Sequence, residues 1–270
     1  MNITTKISKN CSRTLLLAFF MFISTQNFAQ ATAGWELEKM PVDLETDFAL
    51  SALPPHLRND ATVYLLDPKK GFYMARHGSN GFICFVSRTE WEWAEFRNDL
   101  ATPISYDAEG AKSIFPAYLD VAAMRASGKF QAAQIKDSIV SRIIKGIYKA
   151  PSKPGISYML APVMRVYPGA PDNNEIITVS GPHYMLYAPY LTNEDARFKP
   201  GTGGLFLNNA GQWILGEGKG PFGYIIVTSS EKEKAIIVED GKDLLRRLTE
   251  YKAYFKVEPD SGHHGAGTKN

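Results

Sequence analysis

The stretch T-V-Y-L-L-D-P-K-K-G-F-Y-M-A-R-H-G-S-N-G-F-I-C-F-V-S-R, residues 62–88, decides the fold class. Its apolar runs are short, rich in β-branched and aromatic residues, and punctuated by P-K-K-G and H-G-S-N-G. Runs of that kind between Pro and Gly signals read as strands. The spacing predicts strands over 62–67, 71–76 and 81–88, joined as a three-stranded antiparallel meander. In the third strand, alternation puts Phe82, Cys84 and Val86 on one face and Ile83 and Phe85 on the other. Both faces are apolar, which predicts an interior strand with a buried thiol.

Helices are expected on either side of this unit. Before it, 43–53 has acidic residues in its first turn and stops at Pro54-Pro55. After it comes a polar loop over 89–103 carrying Trp91 and Trp93, then a helix over 107–127 interrupted near Pro116. A second helix spans 130–148, with Ile135, Ile139, Ile143 and Ile147 at i, i+4 and Val140 and Ile144 widening the stripe. Beyond Pro151 and Pro154, strands are expected at 156–160, 163–166, 176–179, within 181–193, at 212–215 and at 224–227. A closing helix over 241–254 carries Leu244, Leu245, Leu248 and Tyr251 on one face. The class is α+β: antiparallel sheet(s) with a two-helix insertion and a C-terminal closing helix.

The N-terminus predicts export. Lys6, Lys9 and Arg13 precede the apolar run L-L-L-A-F-F-M-F-I (residues 15–23), and Ala29-Gln30-Ala31 offers small residues for cleavage after Ala31. A run of nine residues covers only about 14 Å as a helix, roughly half a bilayer core, so it reads as a signal peptide rather than an anchor. Cys11 lies before the run and so is not a lipoprotein cysteine. The expected organisation is a signal peptide over 1–31, one α+β domain over 32–257 and a disordered tail over 258–270, with the product in the periplasm or outside the cell. The formal charge of +2 falls to −1 without the three basic residues of the signal. Near-neutrality excludes an electrostatic nucleic-acid binder, and no later run is long enough to span a membrane. Cys84 is then the one cysteine left, so no internal disulfide is expected.

Four motifs resemble those of a family of exported bacterial proteins with no assigned function: N-G-F-I-C-F-V (80–86), Y-D-A-E-G (106–110), P-G-I-S-Y-M-L (154–160) and Y-A-P-Y-L-T-N (187–193). The resemblance spans about residues 50–227. In that family a cysteine often stands just before the Tyr-Asp pair, where this chain has Ser105. The resemblance implies that Cys84 has lost a disulfide partner, and it brings no catalytic residue.

Each candidate site residue also has a plain structural role open to it. A reactive Cys84 would need partial exposure and a cationic neighbour, whereas an interior strand position predicts an inert thiol. His77 and Ser79 lie in a Gly-rich turn that lacks the G-x-S-x-G of a nucleophile elbow. Asp107 and Glu109 form a carboxylate pair, but at a helix start they read as N-cap and first-turn residue. His263-His264 in the tail lacks a third ligand, so no metal site is expected. In Gly181–Asn193 (G-P-H-Y-M-L-Y-A-P-Y-L-T-N), alternation puts His183, Met185 and Tyr187 on one face, and Pro189 sets Tyr190 beyond the strand. His183 ranks first for acid–base chemistry because it titrates near neutral pH. Tyr187, Tyr158, Trp91 and Trp93 are the binding candidates, with the two tryptophans expected to be exposed. No cofactor is implied. The leading expectation is a binding protein for a small ligand or an envelope partner at an aromatic-lined cleft; the alternative is a hydrolase using His183 or His77.

Overall fold

A computed structural model describes residues 36–167, 175–192, 195, 205–209 (backbone course only) and 220–257. The expected signal peptide, the strand at 212–215, the His263-His264 pair and the tail lie outside the described residues. All elements below belong to the unit Leu37–Asn270.

The chain is α+β. The first sheet holds β1 (Thr62–Asp67), β2 (Gly71–Arg76), β3 (Ile83–Ser87) and β4 (Thr102–Tyr106) in the order β2-β1-β3-β4. It is not a meander, because β3 pairs parallel to β1 rather than antiparallel to β2. The turn H-G-S-N-G crosses beneath the start of β1, where the Asp60 carbonyl accepts from the amides of Ser79 at 2.8 Å and Asn80 at 3.1 Å. A Cβ at Gly78 would stand 2.2 Å from that carbonyl oxygen, so only glycine permits the crossing. Burial explains the order: β3 is buried at every residue, while β2 exposes Tyr73, Met74 and Ala75 and takes the edge.

β4 falls where the sequence reading has the end of a loop and the few residues before a helix. Its Pro103 counts against a strand, but β4 is the other edge, where proline is tolerated.

Helices cover both faces of this sheet. On one side α1 (Val42–Ser51) lays Leu44 and Phe48 on Val63, Leu65, Cys84 and Val86. On the other, Ile83, Phe85, Ile104 and Tyr106 meet Phe115 and Val121 of α4 (Phe115–Ala126). A short α2 (Pro55–Arg58) follows α1, and α3 (Ala108–Ser113) precedes α4, the break at Ile114 falling beside Pro116 as expected. α5 (Ala132–Ile144) buries Ile135, Ile139 and Ile143. Its stripe is narrower than predicted: Ile144 is 69% exposed, and Ile147 is 61% exposed beyond the helix end.

The second sheet is β5 (Ile156–Met159), β8 (His183–Tyr187), β10 (Gly223–Thr228) and β9 (Leu205–Asn209), in that order and antiparallel throughout. β6 (Met164–Val166) and β7 (Ile177–Val179) form a separate hairpin. Two helices close the described chain, α6 (Glu231–Asp240) and α7 (Lys242–Tyr251). α7 brings Leu248 into the core against the α1 side, with Leu244, Leu245 and Tyr251 packed beside it as expected. α6 buries no residue, and its single A-I-I-V block offers no helical stripe to read. No helix among the described residues is long and apolar enough to cross a membrane.

The sheets meet edge to edge at β4 and β5. The Ser105 hydroxyl donates to the Tyr158 carbonyl at 2.9 Å and accepts the Tyr158 amide at 3.0 Å, while the Ser157 hydroxyl donates to the Ser105 carbonyl at 2.5 Å. Hydroxyls thus take the place of backbone ladder bonds at Ser105 and Ser157, and the Asp107 amide, donating to the Ile156 carbonyl at 3.2 Å, continues the seam.

Candidate functional site

The loop 88–101 between β3 and β4 is polar by composition, yet it is held on three sides. Arg88, buried, donates back to the carbonyls of Leu100 (2.6 Å) and Asn98 (2.8 Å). Arg125, at the end of α4, donates to the carbonyls of Arg88 (3.1 Å) and Arg97 (2.7 Å) and to the Thr89 hydroxyl (2.7 Å). Burial, and then the neighbouring Arg88, pull the Arg125 guanidinium down to about 10. From the hairpin, Arg165 pairs with Asp99 at 2.7 Å, and Arg97 pairs with the same carboxylate at 2.9 Å. Burial works to raise the Asp99 carboxyl, but the two arginines together hold it below its ordinary value. Trp93 stacks on Tyr167 with centroids 4.4 Å apart, and the Tyr167 hydroxyl donates to Glu95.

This fixed loop forms one wall of a cavity of about 540 Å³. Glu90, Trp91, Glu92 and Trp93 line it from the loop, and Thr102, Ile104 and Tyr106 from β4. α4 adds Tyr118, and the hairpin adds Met164, Val166 and Val179. The second sheet supplies Met159, His183, Met185 and Tyr224. At the buried end three phenols gather: the Tyr106 hydroxyl lies 3.1 Å from that of Tyr224 and 3.4 Å from that of Tyr118. Burial first, then mutual proximity, pushes the Tyr106 phenol well above its usual range.

Two acids here are also strongly perturbed. Glu90 accepts a long bond of 3.5 Å from Thr102, and burial followed by repulsion from Glu92 raises its carboxyl well above the ordinary range. Burial lifts Glu92 to about 7, against weaker opposing pulls from its own backbone amide and from Lys136. His183 lies 2.7 Å through Nδ1 from the Gly181 carbonyl. A carbonyl only accepts, so Nδ1 carries the hydrogen and Nε2 is the ring's acceptor. Burial pushes the ring's pKa down, which keeps it neutral at pH 7.

No family model, curated protein or solved structure matches this chain.

The cavity brings together three of the predicted residues: His183, Trp91 and Trp93. The tryptophans are not the exposed rings expected of a polar loop. Trp91 is 6% exposed and Trp93 is half-buried, because the arginine clamps turn the loop inward. The β8 alternation holds, but Tyr187 lies farther along the strand, in the core. Its hydroxyl is 2.9 Å from Asp107 Oδ1 and 3.0 Å from the Ile156 carbonyl, and it donates to one or the other. Tyr190 lies outside the strand, 55% exposed. Tyr158 packs on Phe82 and Tyr184 and faces a different, more polar depression of about 770 Å³ beside α2, α6 and α7.

Asp107 caps α3, accepting from the amides of Glu109 (3.0 Å) and Gly110 (2.9 Å), and also from the Ile156 amide. Glu109 accepts from the Ser152 amide (2.5 Å) and hydroxyl (2.8 Å), which hold its carboxyl below the ordinary range. Cys84 is free and fully buried, burial pushing its thiol far up, and its cross-strand neighbour in β4 is Ser105. His77 and Ser79 are exposed in the crossing turn. His183 hydrogen-bonds to Gly181 and not to Cys84, Asp107 or Glu109. No group of three His, Cys, Asp or Glu among the described residues is placed to hold a metal ion.

Sequence reasoning missed Glu90 and Glu92, and with them Tyr106, Tyr118, Tyr167 and Tyr224. One signal was available: T-E-W-E-W alternates acid and indole, and a loop that turns its tryptophans inward half-buries the neighbouring acids too.

Proposed function

We propose that this chain is an exported binding protein that takes a small, largely apolar ligand into the cavity between its two sheets. The observation that carries the reading is the cavity itself, about 540 Å³, ring-lined, with a few polar groups at fixed places. Volumes and linings of this kind suit small organic molecules. The arginine clamps support it as well, since a wall fixed before binding loses little entropy when a ligand enters. Export rests on the basic and apolar pattern of residues 1–31.

Trp91 and Trp93 line the cavity, so occupancy should change tryptophan emission. The neutral fluorophore N-phenyl-1-naphthylamine is expected to bind saturably at about one equivalent. Val179→Trp, which fills part of the space, is expected to abolish that binding without unfolding the protein. Absence of saturable binding by the unmodified protein would remove the reading.

The hydrolase reading draws support from one observation, that His183 with an acceptor Nε2 shares the cavity with two acids. Turnover of p-nitrophenyl esters by the purified protein, lost in His183→Gln, would put that reading first. The binding reading expects none.

A further inference from the structure

The cavity has a charge asymmetry that an apolar ligand would not require. Glu90 and Glu92 line it, and no lysine or arginine does among the described residues. Neither acid forms an ion pair among those residues; their bonds are the long one to Thr102 and the one from Glu92's own amide. Enclosing a carboxylate is costly unless a partner compensates it. Lys136 of α5 pulls on Glu92 only weakly and does not line the space, while indole and phenol rings do. Rings and carboxylates together are the surroundings that an alkylated ammonium group favours over water.

We propose that the cavity is a receptor for an organic monocation, a quaternary or alkyl ammonium group whose charge sits against Glu90 and Glu92 and whose carbon shell packs on the neighbouring rings. This inference rests on the reading of the cavity as a ligand site and names the ligand's class. Binding is linked to protons. Without a bound cation both carboxyls hold their protons more tightly than free carboxyls do, because burial has raised them. Arrival of a cation favours the carboxylate form and releases a proton, so affinity rises with pH. The other groups facing the acids stay constant between pH 6.5 and 8.5. The phenols of Tyr106, Tyr118, Tyr167 and Tyr224 are all pushed up and His183 is pushed down, each away from that range, and the remaining charged group acting on Glu92 is Lys136 of α5.

The test compares benzyltrimethylammonium with its uncharged isostere, neopentylbenzene, by calorimetry and tryptophan emission at both pH values. The cation is expected to bind about tenfold or more tightly than the isostere, and to gain affinity toward pH 8.5. The Glu90→Gln/Glu92→Gln pair is expected to erase that preference and its pH dependence. Should the pair fail to fold, Glu92→Gln alone is expected to lose most of the pH dependence. Equal or weaker binding of the cation, or a preference that survives the Gln substitutions, overturns the proposal. If neopentylbenzene binds without any cation preference, the cavity stands as a ligand site and only the ligand class falls. If both probes and N-phenyl-1-naphthylamine fail to bind, the ligand-site reading falls with it.

Discussion

At the scale of single residues, two carboxylates serve the fold differently, Glu45 buried and Asp107 half-buried. Glu45 of α1 is 2% exposed and accepts the Leu66 amide at 2.8 Å. Burial outweighs that bond and the nearby Arg88, and lifts the carboxyl to about 7. A carboxyl whose folded value lies above its unfolded value supports the fold below the unfolded value and loses that support as pH rises. Stability should therefore fall between about pH 4.5 and 7, by at most about 1.4 kcal/mol per pH unit for this group. Glu45→Gln keeps an oxygen for the Leu66 amide and removes the titration. It is expected to raise the urea midpoint at pH 8 and to flatten, though not abolish, the slope, since Glu92 titrates in the same window. Asp107 is the contrary case, a carboxylate with two backbone amides at a helix start, a third from β5 and a phenol beside it. Asp107→Ala should cost about 2–4 kcal/mol in chemical denaturation, the sum of a lost cap and stranded buried donors. The Tyr187 phenol reaches it only because residue 110 is glycine; a Cβ there would stand 2.1 Å from the hydroxyl.

At the scale of elements, the loop 88–101 decides whether a cavity exists. Its polar sequence predicts a solvated excursion, yet Arg88 and Arg125 satisfy its carbonyls from beneath and Arg165 fixes Asp99 from the hairpin. Arg125→Lys keeps the charge but cannot reach two carbonyls and a hydroxyl at once. That variant is expected to lose about 1–3 kcal/mol of stability and to weaken N-phenyl-1-naphthylamine binding more than tenfold, with faster proteolysis confined to residues 88–101. Unchanged binding would show that the loop holds its shape without the clamp. The same scale explains the errors in the strand reading. Pro103 hid β4, because a proline is informative about edge position only after the sheet order is known. The parallel pairing of β1 with β3 was hidden because the apolar patterns of β2 and β3 suit a meander equally well; contacts of the H-G-S-N-G turn with Asp60 chose the other partner.

At the scale of the whole molecule, the two sheets share one of two buried clusters and one seam. Tyr106, Phe115, Met185, Tyr187 and Tyr224 belong to a single buried cluster, and Ser105 and Ser157 stitch β4 to β5. Ser105→Ala strands a buried carbonyl and a buried amide, and should cost about 1–3 kcal/mol. The cost is expected in one cooperative transition seen alike by tryptophan emission and far-ultraviolet dichroism; two separated transitions would mean that the sheets unfold independently. Cys84, at the centre of the first sheet, reports the same event. Its reaction with a thiol reagent is expected to proceed no faster than global unfolding, because burial holds it as an unreactive thiol.

Much of this was legible from sequence, for a physical reason. Element type follows local periodicity, so the short strands, the split helix at Pro116, the Asp107 cap and the buried Cys84 were all readable from their own neighbourhoods. The α+β class followed from them. The cavity was not readable, because it is made by residues far apart in the chain: Glu90 and Trp93, Tyr118, His183 and Tyr224 come from a loop, a helix and two strands. Sequence alone placed His183 on an inward face, but whether that face met packed core or open space depended on the hairpin and the clamped loop opposite. Local pattern sets which side chains turn inward. Only tertiary structure, through the crossing turn, the arginine clamps and the seam between sheets, decided where the inward faces fail to close and leave room for a ligand.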